Sequence, residues 1–241
     1  RQMGFSIIEE YKKSNTEISW PEVDGLVIRS RFPVDATLLA RATNLKFIAR
    51  VGAGLENIDR NFCASKGIEL IAAPEGNRNA VAEHALGMLL SILNRLRIAD
   101  REVRSGIWLR EENRGYEIAG KTVGLKTLQA EADILSLHIP QTEENIKWVD
   151  AKFLAQFKKP IYLINTARGK IVESQALVAA LESGAVLGAC LDVLEYEKSS
   201  FENIFQGEKP AALDYLLKSD KVILSPHIAG WSFESNEKMA Q

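Results

Sequence analysis

The chain has 241 residues, of which 46% are hydrophobic and 26% charged, a make-up that suits one large globular domain or two small ones. Its 30 basic and 32 acidic side chains leave a net charge of −2, without the basic excess that a nucleic-acid backbone demands. No apolar run reaches membrane-spanning length; the best, around Ala85 to Leu93, is interrupted by polar residues.

The opening stretch, RQMGFSIIEEY, reads as a polar amphipathic helix and not as a signal peptide. A first β-strand is expected at Gly25–Arg29 (GLVIR) and a second at Phe47–Val51 (FIARV). The second runs into RVGAGLENID, whose glycines allow either a tight turn or a close backbone approach to an anion. A short strand follows at Glu69–Ile71, then the loop PEGNRN. From Asn79 to about Asp100 the apolar residues Val81, Ala85, Met88, Leu89, Ile92, Leu93 and Leu96 recur at helical spacing, with Asn79 as N-cap and Glu83 in the first turn. Such a helix can bridge two subdomains or simply pack in a core, and the pattern does not separate the two. Further strands are expected at Thr122–Gly124, Ile134–Leu137, Ile161–Asn165, Leu187–Asp192 and Val222–Ser225, with a helix over Ser174–Ser183 that stops at Gly184. Short β-branched runs alternating with helical patterns predict a parallel α/β architecture. Cys63 and Cys190 are isolated and lack metal-ligand spacing, which points to a reducing cytoplasm and to no bound metal.

One joint resists this scheme. Between the strand ending at Gly124 and the strand ADILSLH lie only Leu125–Ala132. Parallel neighbours need a crossover of roughly a dozen residues or more, and LKTLQAEA has helical character without turn residues. The simplest expectation is a segment missing between Gly124 and Leu125. An intact mass several kilodaltons above 26.8 kDa supports it, and agreement with 26.8 kDa refutes it.

In open α/β sheets, ligands bind beyond the carboxyl ends of the strands, so polar residues just after strands are the candidates. His138 follows a strand in ILSLHIP, Thr166 and Arg168 follow another in YLINTARGKIV, and His227 follows the last in VILSPHIAG. In ACLDVLEYE, Asp192 ends a strand, with Glu195 and Glu197 beyond it. A lone strand-end histidine is more often structural, Arg168 alone reads equally as a surface arginine, and a strand-end aspartate often only caps the next turn. The combination is more telling. Arginine binds a carboxylate bidentately, and histidine moves a proton near neutrality when a carboxylate orients it. That set suits redox chemistry at the carbon next to a carboxylate. Spacing does not choose between His138 and His227.

The runs RVGAGLENID, GNRNAVAEHALGMLL, GKTVG, ADILSLHIPQT, INTARGKIV, GACLDVLEYE and ILSPHIAG, in this order, resemble the D-isomer-specific 2-hydroxyacid dehydrogenases, in particular D-3-phosphoglycerate dehydrogenases. The resemblance covers nearly the whole chain. It implies two Rossmann-like domains with parallel sheets, a flavodoxin-like substrate domain (residues 1–79 plus 227–241) and a dinucleotide-binding domain (80–226), with the active site in a cleft between them. It places the carboxylate-binding arginine on Arg168, the acid that holds the histidine on Glu197 and the general acid/base on His227. Backbone N–H groups of Gly52, Ala53 and Gly54 would meet the substrate carboxylate, with Asn77 nearby, and Arg50 would face a substrate phosphate or remain a surface arginine. The cofactor, NAD, would be lined by His138, Ile139 and Pro140 on the adenine side and by Thr166, Ala167, Arg168, Asp192, His227, Ala229 and Gly230 elsewhere, Asp192 facing the nicotinamide carboxamide. Glu197 paired with His227 favours hydroxy-acid chemistry over the related formate dehydrogenases. The helix and arm over 79–118, including GIWLREENRGYEIAG, would form a homodimer contact through Trp108 and Leu109.

Two departures from the family pattern fall where they matter. The G-x-G-x-x-G loop and the acidic residue that selects NAD over NADP are both missing at the Gly124–Leu125 joint, which leaves NADP open, and the first strand of the substrate domain is absent. The expected activity is oxidation of a D-2-hydroxy acid or reduction of its 2-oxo acid, with 3-phosphoglycerate first and lactate or glycerate as alternatives. An NAD-sensing corepressor on the same scaffold and an inactive remnant without a nucleotide loop are the competing readings.

Overall fold

The computed structural model describes residues 6–9, 16–124, 129–197 and 209–240. The chain forms two compact units, Arg1–Ala73 and Pro74–Gln241. No helix among the described residues is long and apolar enough to cross a membrane.

The first unit alternates β1 (Gly25–Ile28), α1 (Ala36–Arg41), β2 (Phe47–Arg50), α2 (Arg60–Lys66) and β3 (Glu69–Ala72), and its strands form one parallel sheet in the order β1-β2-β3. Both helices start on an aspartate: Asp35 accepts from the Leu38 N–H at 2.9 Å and Asp59 from the Phe62 N–H at 2.9 Å, satisfying donors that a helix start leaves free. Helix α2 ends at Gly67, in the left-handed region at φ 69°. Trp20, Val34, Leu38, Leu39, Ile48 and Cys63 are buried together in its core. The expected N-terminal helix is not found over the described part of its stretch: Ser6–Glu9 form no regular element, and residues 1–5 and 10–11 of it lie outside the described residues.

The second unit carries α3 (Arg78–Leu93), α4 (Leu96–Arg104), β4 (Val123–Gly124), β5 (Ile134–Leu137), α5 (Ala151–Leu154), β6 (Ile161–Asn165), α6 (Ser174–Ser183), β7 (Val186–Leu191), α7 (Ala211–Lys218), β8 (Val222–Leu224) and α8 (Phe233–Ala240). All five strands are parallel, in the order β4-β5-β6-β7-β8. Alternate residues point to opposite faces of a strand. Ile134, Ile164 and Cys190 therefore pack on one face against Ala85, Met88, Leu89 and Leu93 of α3. Their neighbours Leu135, Leu163 and Leu191 pack on the other against Leu177, Leu181 and Leu216 of α6 and α7. Helices on both faces explain why β5 is buried at every position and is apolar except at Ser136.

The long helix expected from Asn79 to about Asp100 is corrected in two respects. Its N-cap is Asn77 and not Asn79, which lies inside a helix that starts at Arg78, and it breaks at Asn94–Arg95, where Arg95 adopts the left-handed conformation at φ 52° before α4 resumes. Helical spacing continues across the break, so periodicity could not reveal it. Leu96, taken as part of the apolar stripe, is 54% exposed because the turn rotates it off the core.

Two parallel strands meet across the short joint. β4 pairs in parallel with β5, Val123 opposite Ile134 and Gly124 opposite Leu135, although only residues 125–133 connect them and 125–128 lie outside the described residues. Asp133 closes the ladder. Its N–H donates to the Thr122 carbonyl at 2.9 Å, its carboxylate accepts from the Thr122 N–H at 2.8 Å, and Lys159 lies 2.8 Å from its other oxygen. The lysine first, and then the Thr122 N–H, hold the Asp133 pKa below the usual carboxylate value. Among the described residues β4 is the edge strand and the strand order does not reverse.

Candidate active site

The carboxyl ends of β5, β6, β7 and β8 lie side by side along one edge of the second sheet, and the sequence places a candidate residue after each. Following β6, the NTARG turn is fixed from below by Asn165, which is fully buried. Its Oδ1 accepts from the Ala167 N–H at 3.1 Å and its Nδ2 donates to the Arg168 carbonyl at 3.1 Å. The Arg168 guanidinium donates to the Ala167 carbonyl at 2.7 Å. The glycine of the motif has a steric purpose: a β-carbon on Gly169 would lie 1.9 Å from the Leu194 carbonyl oxygen, so only glycine lets this turn rest on the loop after β7.

That loop divides the work of its two glutamates. Glu195 is structural: its carboxylate accepts from the Ser174 N–H at the start of α6 at 2.8 Å and meets Lys147 at 3.3 Å. Burial alone would raise its pKa, but Ser174 and Lys147 outweigh that and hold it below the usual range. Glu197 turns the other way. One oxygen accepts from the Leu194 N–H at 2.5 Å and the second lies 2.7 Å from Nδ1 of His227. Nδ1 therefore carries the hydrogen given to the carboxylate.

His227 itself sits at φ 57°, a conformation a side-chain-bearing residue rarely adopts. Asp192, 2% exposed, holds it there. The Asp192 carbonyl accepts from the His227 N–H at 2.8 Å, Oδ1 from the Ile228 N–H at 2.9 Å and Oδ2 from the Ala229 N–H at 2.9 Å. Ala229 is buried, and Gly230 lies against Asn77, whose Nδ2 would be 2.5 Å from a β-carbon at Gly230. The structure thus brings Asn77, Arg168, Asp192, Glu197, His227, Ala229 and Gly230 to one end of the second unit. His138, at the end of β5, is partly exposed and bonded through Nε2 to Ser136 Oγ at 2.7 Å; burial of part of its ring lowers its pKa. It makes no carboxylate pair of the Glu197–His227 kind among the described residues, and this geometry separates the two histidines that spacing left equivalent. Ile139 and Pro140 come next along the same edge.

In the first unit Arg50 ends β2 and folds back over the next turn: its Nη1 lies 3.4 Å from the Val51 carbonyl and fills the space a β-carbon at Gly52 would need, and Gly52 stands at φ 146°. Ala53 and Gly54 continue the turn without regular structure.

Comparison with known proteins bears on the same residues. The family model described as "D-isomer specific 2-hydroxyacid dehydrogenase, NAD binding domain" matches residues 124–229. The hydroxypyruvate reductase of Thermotoga maritima is 30% identical over an alignment covering 91% of this chain and 82% of the relative. The chain belongs to the D-isomer-specific 2-hydroxyacid dehydrogenases. The D-3-phosphoglycerate dehydrogenase of Archaeoglobus fulgidus is 32% identical over 258 positions, covering 89% of this chain and 47% of the relative, so the chain spans about half the length of that enzyme. The crystal structure of the D-lactate dehydrogenase of Aquifex aeolicus with NAD and lactic acid superposes with a TM-score of 0.81 at 26% identity, over 95% of this chain and 82% of that one. Since 89% of this chain is about 214 residues, about 44 of the 258 aligned positions belong to the Archaeoglobus fulgidus relative alone.

The cofactor of this family fits one end of the site and not the other. At the nicotinamide end, Thr166 Oγ1 is buried with no hydrogen-bond partner among the described residues, and a native structure seldom leaves a buried hydroxyl without one. Asp192 Oδ2 retains an acceptor site after its bond to Ala229. At the pyrophosphate end, a dinucleotide fold places a glycine-rich turn and a helix N-terminus behind its first strand, beside a reversal of strand order. Here Gly124 is followed by a nine-residue link in which no described residue is helical, and the order of the described strands does not reverse.

His84 and Ser225 were not among the candidates legible in the sequence. Both join the Asp192 network: His84 Nε2 is 2.8 Å from Ser225 Oγ, which is 2.5 Å from Asp192 Oδ1. The contact links α3 to the turn after β8, 141 positions apart in the chain, and no local pattern announces it.

Proposed function

We propose that this protein interconverts a D-2-hydroxy acid and its 2-oxo acid with a nicotinamide dinucleotide, NAD or NADP. The observation that carries the reading is the Glu197–His227 pair, 2.7 Å apart, set beside the Asn165-locked turn that presents Arg168. A bound nicotinamide supplies or accepts the hydride at C2 of the substrate. The chain's own residues do the rest. Arg168 holds the substrate carboxylate and polarises the 2-oxo group. His227, through Nε2, takes the hydroxyl proton in oxidation and returns it in reduction, while Glu197 stabilises the imidazolium that forms. Thr166, Ala167, Asp192, Ala229 and Gly230 would line the nicotinamide end, with the free acceptor of Asp192 turned to its carboxamide. His138, Ile139 and Pro140 would line the adenine side.

The finer reading takes 3-phosphoglycerate as the substrate, a step of serine biosynthesis. It rests on sequence resemblance: Arg50 for the phosphate, the backbone of Gly52, Ala53 and Gly54 for the carboxylate, and Asn77 beside them. The similar proteins named for hydroxypyruvate and lactate make those acids the alternatives. Residues 1–79 with 227–241 would form the substrate domain and 80–226 the cofactor domain, in a homodimer through the 79–118 region and in the cytoplasm. A panel of D-2-hydroxy acids and 2-oxo acids assayed with NAD and NADP tests the proposal. Turnover that His227→Ala abolishes supports it; near-normal kcat in that variant refutes the assignment.

The nine-residue link and the roughly 44 positions that the Archaeoglobus fulgidus relative alone occupies favour a second reading for the chain as it stands, in which it keeps the catalytic set but has lost the pyrophosphate cradle. Titration with NADH, read by protein fluorescence, together with the intact mass, separates the two. Millimolar or absent binding at a mass of 26.8 kDa supports the loss. Micromolar binding, with a mass larger by several kilodaltons, supports an additional segment between Gly124 and Leu125.

A further inference from the structure

His84 has no role in the chemistry proposed above, yet it ends a polar chain that reaches His227. It lies on α3 with its side chain 24% exposed, and its Nε2 is 2.8 Å from Ser225 Oγ and 3.7 Å from Asp192 Oδ1. The direction of each bond comes from counting protons. A carboxylate only accepts, and a hydroxyl has one hydrogen to give. The Ser225 hydrogen goes to Asp192, 2.5 Å away, so the Ser225 oxygen must accept from His84, and Nε2 is the ring nitrogen that carries hydrogen. Asp192 in turn receives the N–H groups of His227, Ile228 and Ala229. These are the bonds that hold His227 at φ 57°. If His84 gives no hydrogen, the Ser225 oxygen loses the donor that steadies it against Asp192, and its hydroxyl is then shared between Asp192 Oδ1 and the weak acceptor Met88 Sδ at 3.8 Å.

We propose that His84 is a positioning residue, which through Ser225 and Asp192 holds the backbone of residues 227–229, and with it the His227 ring, in the conformation that proton transfer requires. The inference rests on His227 being the acid/base, and its test has a readout that does not.

Amide hydrogen exchange at Ile228 and Ala229 is measured by NMR in the unmodified chain and in His84→Phe, His84→Gln and Ser225→Ala, alongside kcat and KM for the best acid of the panel. In His84→Phe and Ser225→Ala, exchange at the two amides should quicken about fivefold, the worth of one ordinary hydrogen bond, while the amides of β6 keep their rates. kcat should fall by a similar factor with KM within about twofold, as expected for loss of an aligned acid/base and not of a binding contact. His84→Gln, which keeps an N–H donor at comparable reach, should recover both. The ring ¹⁵N shifts of His84 should report hydrogen on Nε2 and change in Ser225→Ala. Unchanged exchange in both His84→Phe and Ser225→Ala overturns the proposal, as does a Gln variant no better than Phe. If His84→Phe does not fold, Ser225→Ala and the ¹⁵N shifts decide. If no acid is turned over, the functional reading fails, while the exchange rates still decide whether His84 holds this segment.

Discussion

Replacing Glu197 by glutamine tests the heart of the site with a change of a single atom. The carboxylate makes two bonds at once, one oxygen to the Leu194 N–H at 2.5 Å and the other to His227 Nδ1 at 2.7 Å. An amide of the same shape has only one acceptor oxygen. It can keep both contacts only by donating its NH2 to an unprotonated Nδ1, which forces the other tautomer and leaves the ring hydrogen on Nε2, and in every case the negative charge that stabilises imidazolium is gone. The Glu197 side chain is 11% exposed and that of His227 24%, so water replaces the lost partner poorly. A hydrogen bond to a charged group is worth roughly 1.5–3 kcal/mol, and about 1.4 kcal/mol corresponds to tenfold in rate. Glu197→Gln should therefore lower kcat/KM by about 10- to 100-fold, mostly in kcat. Steady-state kinetics on the substrate chosen from the panel, with a thermal melt to establish that the variant is folded, checks it. A folded variant with kcat/KM within about twofold of the original would mean that Glu197 neither orients nor stabilises the histidine.

Three further outcomes are set by the geometry. Gly169→Ala drives a β-carbon to within 1.9 Å of the Leu194 carbonyl; overpacking of this kind costs about 1–3 kcal/mol and should lower the melting temperature by roughly 5 °C together with activity, while an unchanged melt would show that the two loops part freely. The Glu195 pKa is depressed in the folded chain below its ordinary value of 4.5. Its contribution to stability is therefore complete above that value and lost as pH falls through the lower folded value; melts from about pH 6 to about pH 3 should show a shallower acid decline in Glu195→Gln, and parallel curves would refute this. Trp108 is 79% exposed beside an apolar depression of about 150 Å³ lined by Ala99, Val103 and Leu109. If this face joins two copies, sedimentation should show Trp108→Glu as a monomer where the original chain is a dimer.

The sequence by itself determined the elements and most of the candidate chemistry. The described strands fall within about one residue of where β-branched runs between turn residues put them, and β5, β6 and β7, buried on both faces, are written in nearly consecutive apolar residues. The candidate residues after β5, β6, β7 and β8 were legible for the same reason: in a parallel sheet, the residues just past each strand end gather along one edge in space. Only the tertiary structure decided which of those residues act together. His227 rather than His138 meets a carboxylate, and Glu197 rather than Glu195 provides it, because a loop turns two neighbouring glutamates in opposite directions. The break at Arg95 was hidden by apolar spacing that continues past it. The partnership of His84 with Ser225 was hidden by distance along the chain, since it forms only where α3 packs across β7 and β8. The contacts of Asp133 with Thr122 and Lys159 beside the β4–β5 pair likewise come from tertiary placement and not from local pattern.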